Sequence, residues 1–223
     1  MDINAFFEQL DNLFETGQIV HVEPFILAQL INANEEKDLD SSLAIMNELI
    51  GFYRSQQRYD DAIYITDQAL TICRNEHITG TLSHATTLLN GATAYRFAGQ
   101  SAKALDMFHE AEAIYKEQLS PTDYHWGGLY NNMSAACGDL EQYDQAADYL
   151  LRAASVMDPL PEHVIEAAVT HANLAGLYVH QKDYLRAKPQ IETACNLLQG
   201  RPDGQAEYEQ FVAMRKMIDK YCG

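Results

Sequence analysis

Four alanines, Ala62, Ala104, Ala146 and Ala187, recur along the chain at spacings of 42, 42 and 41 residues. Each holds the same place in a shared pattern of an apolar-periodic stretch, a short polar turn and a second periodic stretch. The segments are NELIGFYRSQQRYDDAIYITDQALTI, LNGATAYRFAGQSAKALDMFHEAEAI, NNMSAACGDLEQYDQAADYLLRAASV and ANLAGLYVHQKDYLRAKPQIETACNL. A period of this length marks a helical-repeat array, because one hairpin cannot bury its apolar side alone and must stack on a neighbour. A further alanine follows seven residues on, at Ala69, Ala111, Ala153 and Ala194. Two small residues a heptad apart lie on one helix face and admit a close helix neighbour. The turns SQQR, FAGQ, DLEQ and HQKD lead into Tyr59, Ser101, Tyr143 and Tyr184. Tyr53, Tyr95 and Tyr178 fill the bulky slot of the first helices, and Cys137 replaces them in the third segment.

This pattern resembles the tetratricopeptide repeat, and in particular the longer, 42-residue subtype of kinesin light chains. The likeness spans roughly residues 43–200. Asn173, Leu174, Ala175, Leu177, Tyr178, Tyr184, Ala187 and Ala194 carry its signature almost letter for letter. Pro189 inside a second helix fits the subtype, although it removes one helical hydrogen bond. Gly91 and Met133 depart from it, standing where leucine is usual. The resemblance implies an all-α, right-handed superhelical solenoid of α-hairpins with a C-terminal capping helix. It also implies that the first helices line a concave groove, where a non-catalytic scaffold holds an extended peptide or helix of a partner protein.

The whole chain reads as one repeat domain. It comprises a degenerate hairpin over residues 3–35, repeats over 38–76, 79–118, 121–158 and 161–200, and a capping helix over 205–221. In the first hairpin Phe6, Leu10 and Leu13 share one side, and Gly17 makes the turn. Phe25 and Ala28 align with Thr66 and Ala69 at 41 residues. Ser120-Pro121-Thr122-Asp123 predicts a helix start with Ser120 as N-cap and Pro121 in the first helical position. Pro161 opens the next segment in the same way, and Gly200, Pro202 and Gly204 end the last. Tyr208, Phe211, Met214, Met217 and Ile218 form an apolar side on the final helix. That side either closes the open core of the array or meets a partner.

Sorting the first helices at 100° per residue places a small and amide-rich row opposite the core side. Between 43–55, 85–98, 127–139 and 168–180 the charged residues are Glu48, Arg54, Arg96 and Asp139 alone. The second helices instead carry Asp60, Asp61, Asp67, Lys103, Asp106, Glu110 and similar residues, the composition of a solvated side. The candidate partner-binding residues are therefore Asn47, Arg54, Asn90, Arg96, Phe97, Asn131, Asn132, Asn173 and His180. Asparagine offers donor and acceptor to a peptide backbone, and the two arginines suit a carboxylate. Each also has a structural reading: the amides can bond the next repeat, the arginines can pair with Glu48 or Asp139, and Phe97 can pack on its neighbour. Trp126 reads either as an inter-repeat plug or as an exposed anchor.

The formal net charge of −17 argues against nucleic acid and anionic membrane surfaces as partners. Cys73, Cys137, Cys195 and Cys222 form no C-x-x-C pair and stand near no histidine cluster, so no metal or cofactor is expected. Cys222 reads as an exposed thiol. No catalytic motif occurs, and an enzyme is not expected. His171 falls in a core-facing slot, and Asp123 and His125, two apart on a helix, are not expected to face each other. The acidic start MDINAFFEQLDNLFE lacks a basic segment followed by an apolar one, which points to the cytoplasm. Two competing functions are a peptide-sensing regulator without a DNA-binding domain, and a homo-oligomeric subunit that associates through array ends or the terminal helix.

Overall fold

The computed structural model describes residues 1–222, and its helices form two compact units, Met1–Gln118 and Leu119 onward. The first unit holds α1 (Ile3–Glu15), α2 (Ile19–Glu35), α3 (Leu39–Ser55), α4 (Tyr59–Asn75), α5 (Leu82–Phe97) and α6 (Ser101–Gln118). The second holds α7 (His125–Asp139), α8 (Tyr143–Met157), α9 (Val164–His180), α10 (Tyr184–Leu198) and α11 (Gln205–Cys222). The fold is all-α among the described residues, and within each unit successive helices pack as hairpins.

Local chemistry sets the helix ends. Asp2, Asp38, Thr81 and Asp183 accept backbone N–H groups at the starts of α1, α3, α5 and α10, satisfying donors that the helix itself leaves open. The turns inside the five hairpins place Gly17, Gln57, Gly99, Glu141 and Lys182 in the left-handed region. In each, the following N–H reaches back five residues, as Gln18 does to Leu13 and Gln142 to Cys137, which is the Schellman arrangement. Glycine serves two of these turns without strain, whereas Gln57, Glu141 and Lys182 hold a conformation that disfavours a Cβ.

The alanine ladder lies where its spacing predicts. Ala62, Ala104, Ala146, Ala187, Ala69, Ala111, Ala153 and Ala194 are all fully buried. Gly91 has a packing reason: a Cβ there would collide with the Thr66 methyl on α4. Phe211 and Ile218 of α11 are buried in the core of the second unit, with Tyr208, Met214 and Met217 at its edge. The apolar side of the last helix thus closes its own unit.

Three expectations need correction. First, the helix after Ser120 begins at His125, not at Pro121. Ser120 is no cap, since its carbonyl accepts the Trp126 indole N–H (2.9 Å) and the Asp123 carboxylate takes the His125 N–H (3.0 Å). Second, Asp123 therefore stands ahead of the helix, and its carboxylate does meet His125 Nδ1, at 2.6 Å. Third, the register of the first hairpin differs by one residue. Val22, Ile26 and Ala33 are fully buried, 40 residues before Ala62, Thr66 and Cys73, whereas Ala28 is exposed and Phe25 half-buried. The turn decides this, because Gly17 precedes Gln57 by 40 residues.

Candidate functional site

Four of the predicted amides, Asn47 with Asn90 and Asn131 with Asn173, are tied into helix–helix joints. In the first unit Asn47 of α3 is only 7% exposed. Its Nδ2 donates to the Leu43 carbonyl (3.0 Å) and to Thr87 Oγ1 on α5 (3.2 Å), and its Oδ1 accepts from Asn90 Nδ2 (3.2 Å). The orientation of the amide follows from its partners: Thr87 uses its own proton on the Ser83 carbonyl (3.1 Å), so toward Asn47 it acts as an acceptor. The second unit repeats the arrangement atom for atom. Asn131 of α7 donates to the Gly127 carbonyl (3.0 Å) and to Thr170 Oγ1 on α9 (2.8 Å), and accepts from Asn173 Nδ2 (3.1 Å). Thr170 in turn donates to the Glu166 carbonyl (2.8 Å). Asn90 and Asn173 remain partly solvent-facing, with their oxygens outside these bonds.

Asn132 shares the register of Asn90 and Asn173 but not their bond. The position that Asn47 and Asn131 occupy in the leading hairpin is Leu89 one hairpin upstream of Asn132, and the threonine position is Leu129. Asn132 is half-exposed at mid-helix.

The aromatic candidates also mark joints. Phe97, at the end of α5, stacks on Tyr59 at the start of α4 (6.1 Å between centroids). His180, at the end of α9, lies against Tyr143 at the start of α8 (4.7 Å). Both keep an open side, Phe97 being 47% exposed and His180 exposed. Trp126 is 5% exposed and stacks on Tyr130, which fits a plug rather than an anchor.

Arg54 and Arg96 sit in the last turns of α3 and α5. Arg96 lies over the Phe97 ring, its guanidinium carbon 4.5 Å from the centroid. Arg54 is half-buried, and no carboxylate stands within ion-pair distance of it among the described residues; Glu48 does not pair with it. Burial first, and the positive charge of Arg96 second, hold its pKa below the usual guanidinium value. Glu48 on the same helix is perturbed in the mirror sense, its pKa raised by burial and by Asp11. Arg58 shows the contrasting, satisfied case: it pairs with Glu23 and Asp61 (2.6 Å each) and covers the Tyr53 ring. Tyr53, whose hydroxyl donates to Glu23, is pushed up to about 12 by burial and that bond.

The remaining titratable groups are occupied structurally. His171 is buried between Gln190 Oε1 (2.7 Å) and Asp158 Oδ1 (3.1 Å). His84 accepts the Gly80 N–H on Nδ1 (3.2 Å), which leaves the proton on Nε2, and burial lowers its pKa. Cys73, Cys137 and Cys195 are buried with thiol pKa values raised, Cys137 to about 11, the opposite of a reactive thiolate. Cys222 is half-buried rather than exposed, with its Sγ 3.4 Å from the Tyr184 carbonyl. Among the described residues no helix is long and apolar enough to cross a membrane, and no group of three metal-ligating side chains gathers.

Residues 41–117 match the family model described as tetratricopeptide repeat. Three solved structures are similar in fold. The crystal structure of BtubC (BKLC) from P. vanneervenii gives a TM-score of 0.76 at 21% identity, covering 87% of this chain and 80% of that one. A kinesin light chain with nearly identical TPR-like repeats from Podosopora anserina gives 0.66 at 17% identity, over 82% and 92%. MamA (41-end) from Desulfovibrio magneticus RS-1 gives 0.60 at 15% identity, over 91% and 98%. No curated protein matches the chain in sequence.

Proposed function

We propose that the chain is a non-catalytic protein-interaction module of the tetratricopeptide-repeat kind, a reading supported by the family match over residues 41–117 and by the fold. Its first-helix faces receive a segment of a partner protein. In the first unit Arg54 takes an anionic group of that segment, beside Arg96, the open face of Phe97 and the free oxygen of Asn90. In the second unit Asn132, Asn173 and His180 serve the same role. Asn47 and Asn131 hold their joints and act on the partner only through the helices they fix.

The observation that carries this reading is Arg54. A half-buried guanidinium beside a like charge, with no carboxylate in reach, has already lost much of its hydration. An incoming anion then meets a charge that is already partly desolvated, which strengthens a charge-assisted hydrogen bond. Arg58, by contrast, has its charge met by Glu23 and Asp61.

Affinity capture from the native cell lysate tests the proposal, with wild type, Arg54→Glu, Arg96→Glu and Asn132→Ala run side by side and the bound proteins read by mass spectrometry. The variants are expected to lose the same specific partners while keeping wild-type helicity and melting. Wild-type capture by Arg54→Glu and Asn132→Ala together would remove the first-helix face from consideration.

A further inference from the structure

The outer side of α2 is unlike that of the other second helices. Val20, Pro24, Leu27 and Ile31 line it, opposite the buried Val22, Ile26 and Ala33. Val20 is 77% and Ile31 58% exposed. On α4, α6 and α8 the outward positions are mostly acidic, with Asp60, Asp67, Asp106, Glu110, Asp144 and Asp148 exposed, and the exposed apolar residues there and on α10 stand singly, at Tyr64, Leu151 and Leu185. The stripe runs at 4-3-4 spacing, the seam along which a second helix packs.

Its electrostatic setting is one-sided. Residues 1–36 contain seven carboxylates and no Lys or Arg. Neither α1 nor α2 has a basic residue in its last turn, where the helix macrodipole favours a cation. Glu15 and Glu35 occupy those turns and have no ion pair among the described residues. Between α1 and the C-terminal part of α2 lies a cleft of about 300 Å³ whose lining includes Met1, Asp2, Gln29, Asn32, Glu35 and Glu36. The ion pairs that reach this hairpin are Arg58 on Glu23 (2.6 Å) and the N-terminal ammonium on Glu36 (2.7 Å), and the exposed Lys37 follows the C-cap of α2 without an ion pair among the described residues.

We propose that the outer face of α2 docks a basic amphipathic helix of a partner protein. Its apolar seam covers Val20, Leu27 and Ile31, and its Lys or Arg flanks meet Glu15, Glu35 and the negative helix ends. The 4-3-4 seam selects a helix over an extended strand. Charge selects a cationic helix over a second copy of this chain, which would bring seven more carboxylates without a counter-charge. The face is separate from Arg54 and the first-helix surface, so this site and the one proposed above stand or fall independently.

Fluorescence anisotropy on the full chain tests it, with two labelled helical peptides as probes. Both carry leucines at 4-3-4 spacing; one has lysines on the flanks and its twin has glutamates. The lysine peptide is expected to bind at least about ten-fold more tightly than its twin and to weaken as salt screens the flanks. Val20→Ser combined with Ile31→Ser, both at exposed positions, should weaken it about ten-fold with unchanged helicity. Arg54→Glu should leave it unaffected. Equal binding of the two peptides, or wild-type binding by the double variant, overturns the proposal. So does a wild-type dimer in sedimentation velocity that the double variant dissolves, because the occupant would then be a second copy.

Discussion

Replacing Asn47 by alanine isolates the joint between α3 and α5. The substitution removes two donated bonds, to Leu43 and Thr87, and one accepted bond, from Asn90. Leu43 keeps its helical partner and Asn90 can turn to water, but Thr87 is fully buried and loses its donor. With about 0.5–1.5 kcal/mol net for each bond and more for a buried group left short of a partner, the loss is about 2–4 kcal/mol. Alanine's better helix propensity returns roughly 0.5 kcal/mol, so Asn47→Ala should destabilise by about 1.5–3.5 kcal/mol. Asn131 is less buried, and Asn131→Ala should cost about 1–2 kcal/mol. Asn132→Ala, at the same amide-rich face without such a joint, should stay within about 0.5 kcal/mol of wild type. Urea unfolding followed by far-UV circular dichroism measures all three. Hydrogen exchange of the α5 amides shows whether the loss is local to the joint, because repeat arrays can unfold in parts. An Asn47→Ala chain as stable as wild type, or an Asn132→Ala chain as damaged as Asn47→Ala, would refute the assignment.

Three further outcomes follow from the packing and titration. Gly91→Ala should destabilise by about 1–3 kcal/mol through overpacking on Thr66, and Thr66→Ala in the same chain should recover most of the loss in a melting comparison. Glu141→Gly should raise stability by about 0.5–1 kcal/mol in urea, because it relieves a left-handed residue in the α7–α8 turn. His84 gives a pH signature: its folded pKa is lowered, so the unfolded chain binds the proton more readily. Its contribution is then complete above the ordinary histidine value of 6.5 and is lost as pH falls below it. The urea midpoint of wild type should fall more steeply between about pH 7.5 and 5 than that of His84→Gln, and parallel curves would show that His84 is not the group.

The hairpin architecture was legible because one period governs burial. The eight ladder alanines occupy equivalent registers, and all are fully buried. The joints were less legible because they connect different registers. Asn47 and Asn131 stand fifteen residues before Ala62 and Ala146, whereas Asn90 and Asn173 stand fourteen before Ala104 and Ala187. Aligning like with like therefore groups Asn132 with Asn90 and Asn173 and hides the donors one residue away, about 100° around the helix. Thr87 and Thr170, each seventeen residues before its alanine, were the available signal: a threonine repeated in one register, each with an amide in the hairpin ahead. The slipped register of the first hairpin had a larger consequence. An inward Ala28 would turn α2 by one residue and hide the apolar side that Val20, Leu27 and Ile31 form. The Asp123–His125 pair escapes the helical spacing rule because Asp123 precedes the helix that begins at His125.

The asparagine–threonine joint also changes what counts as the building block of this chain. The leading asparagines, Asn47 and Asn131, are 84 residues apart, and their threonine partners, Thr87 and Thr170, are 83 apart. The backbone thus repeats once per hairpin while the joint chemistry repeats once per two. Hairpins of the leading kind and of the trailing kind are not interchangeable, for a trailing hairpin spliced in front would offer Leu89 where an amide is required. The natural cassette for recombination is a pair of hairpins, and grafts that respect that pairing should fold where single-hairpin exchanges leave a buried threonine without its donor.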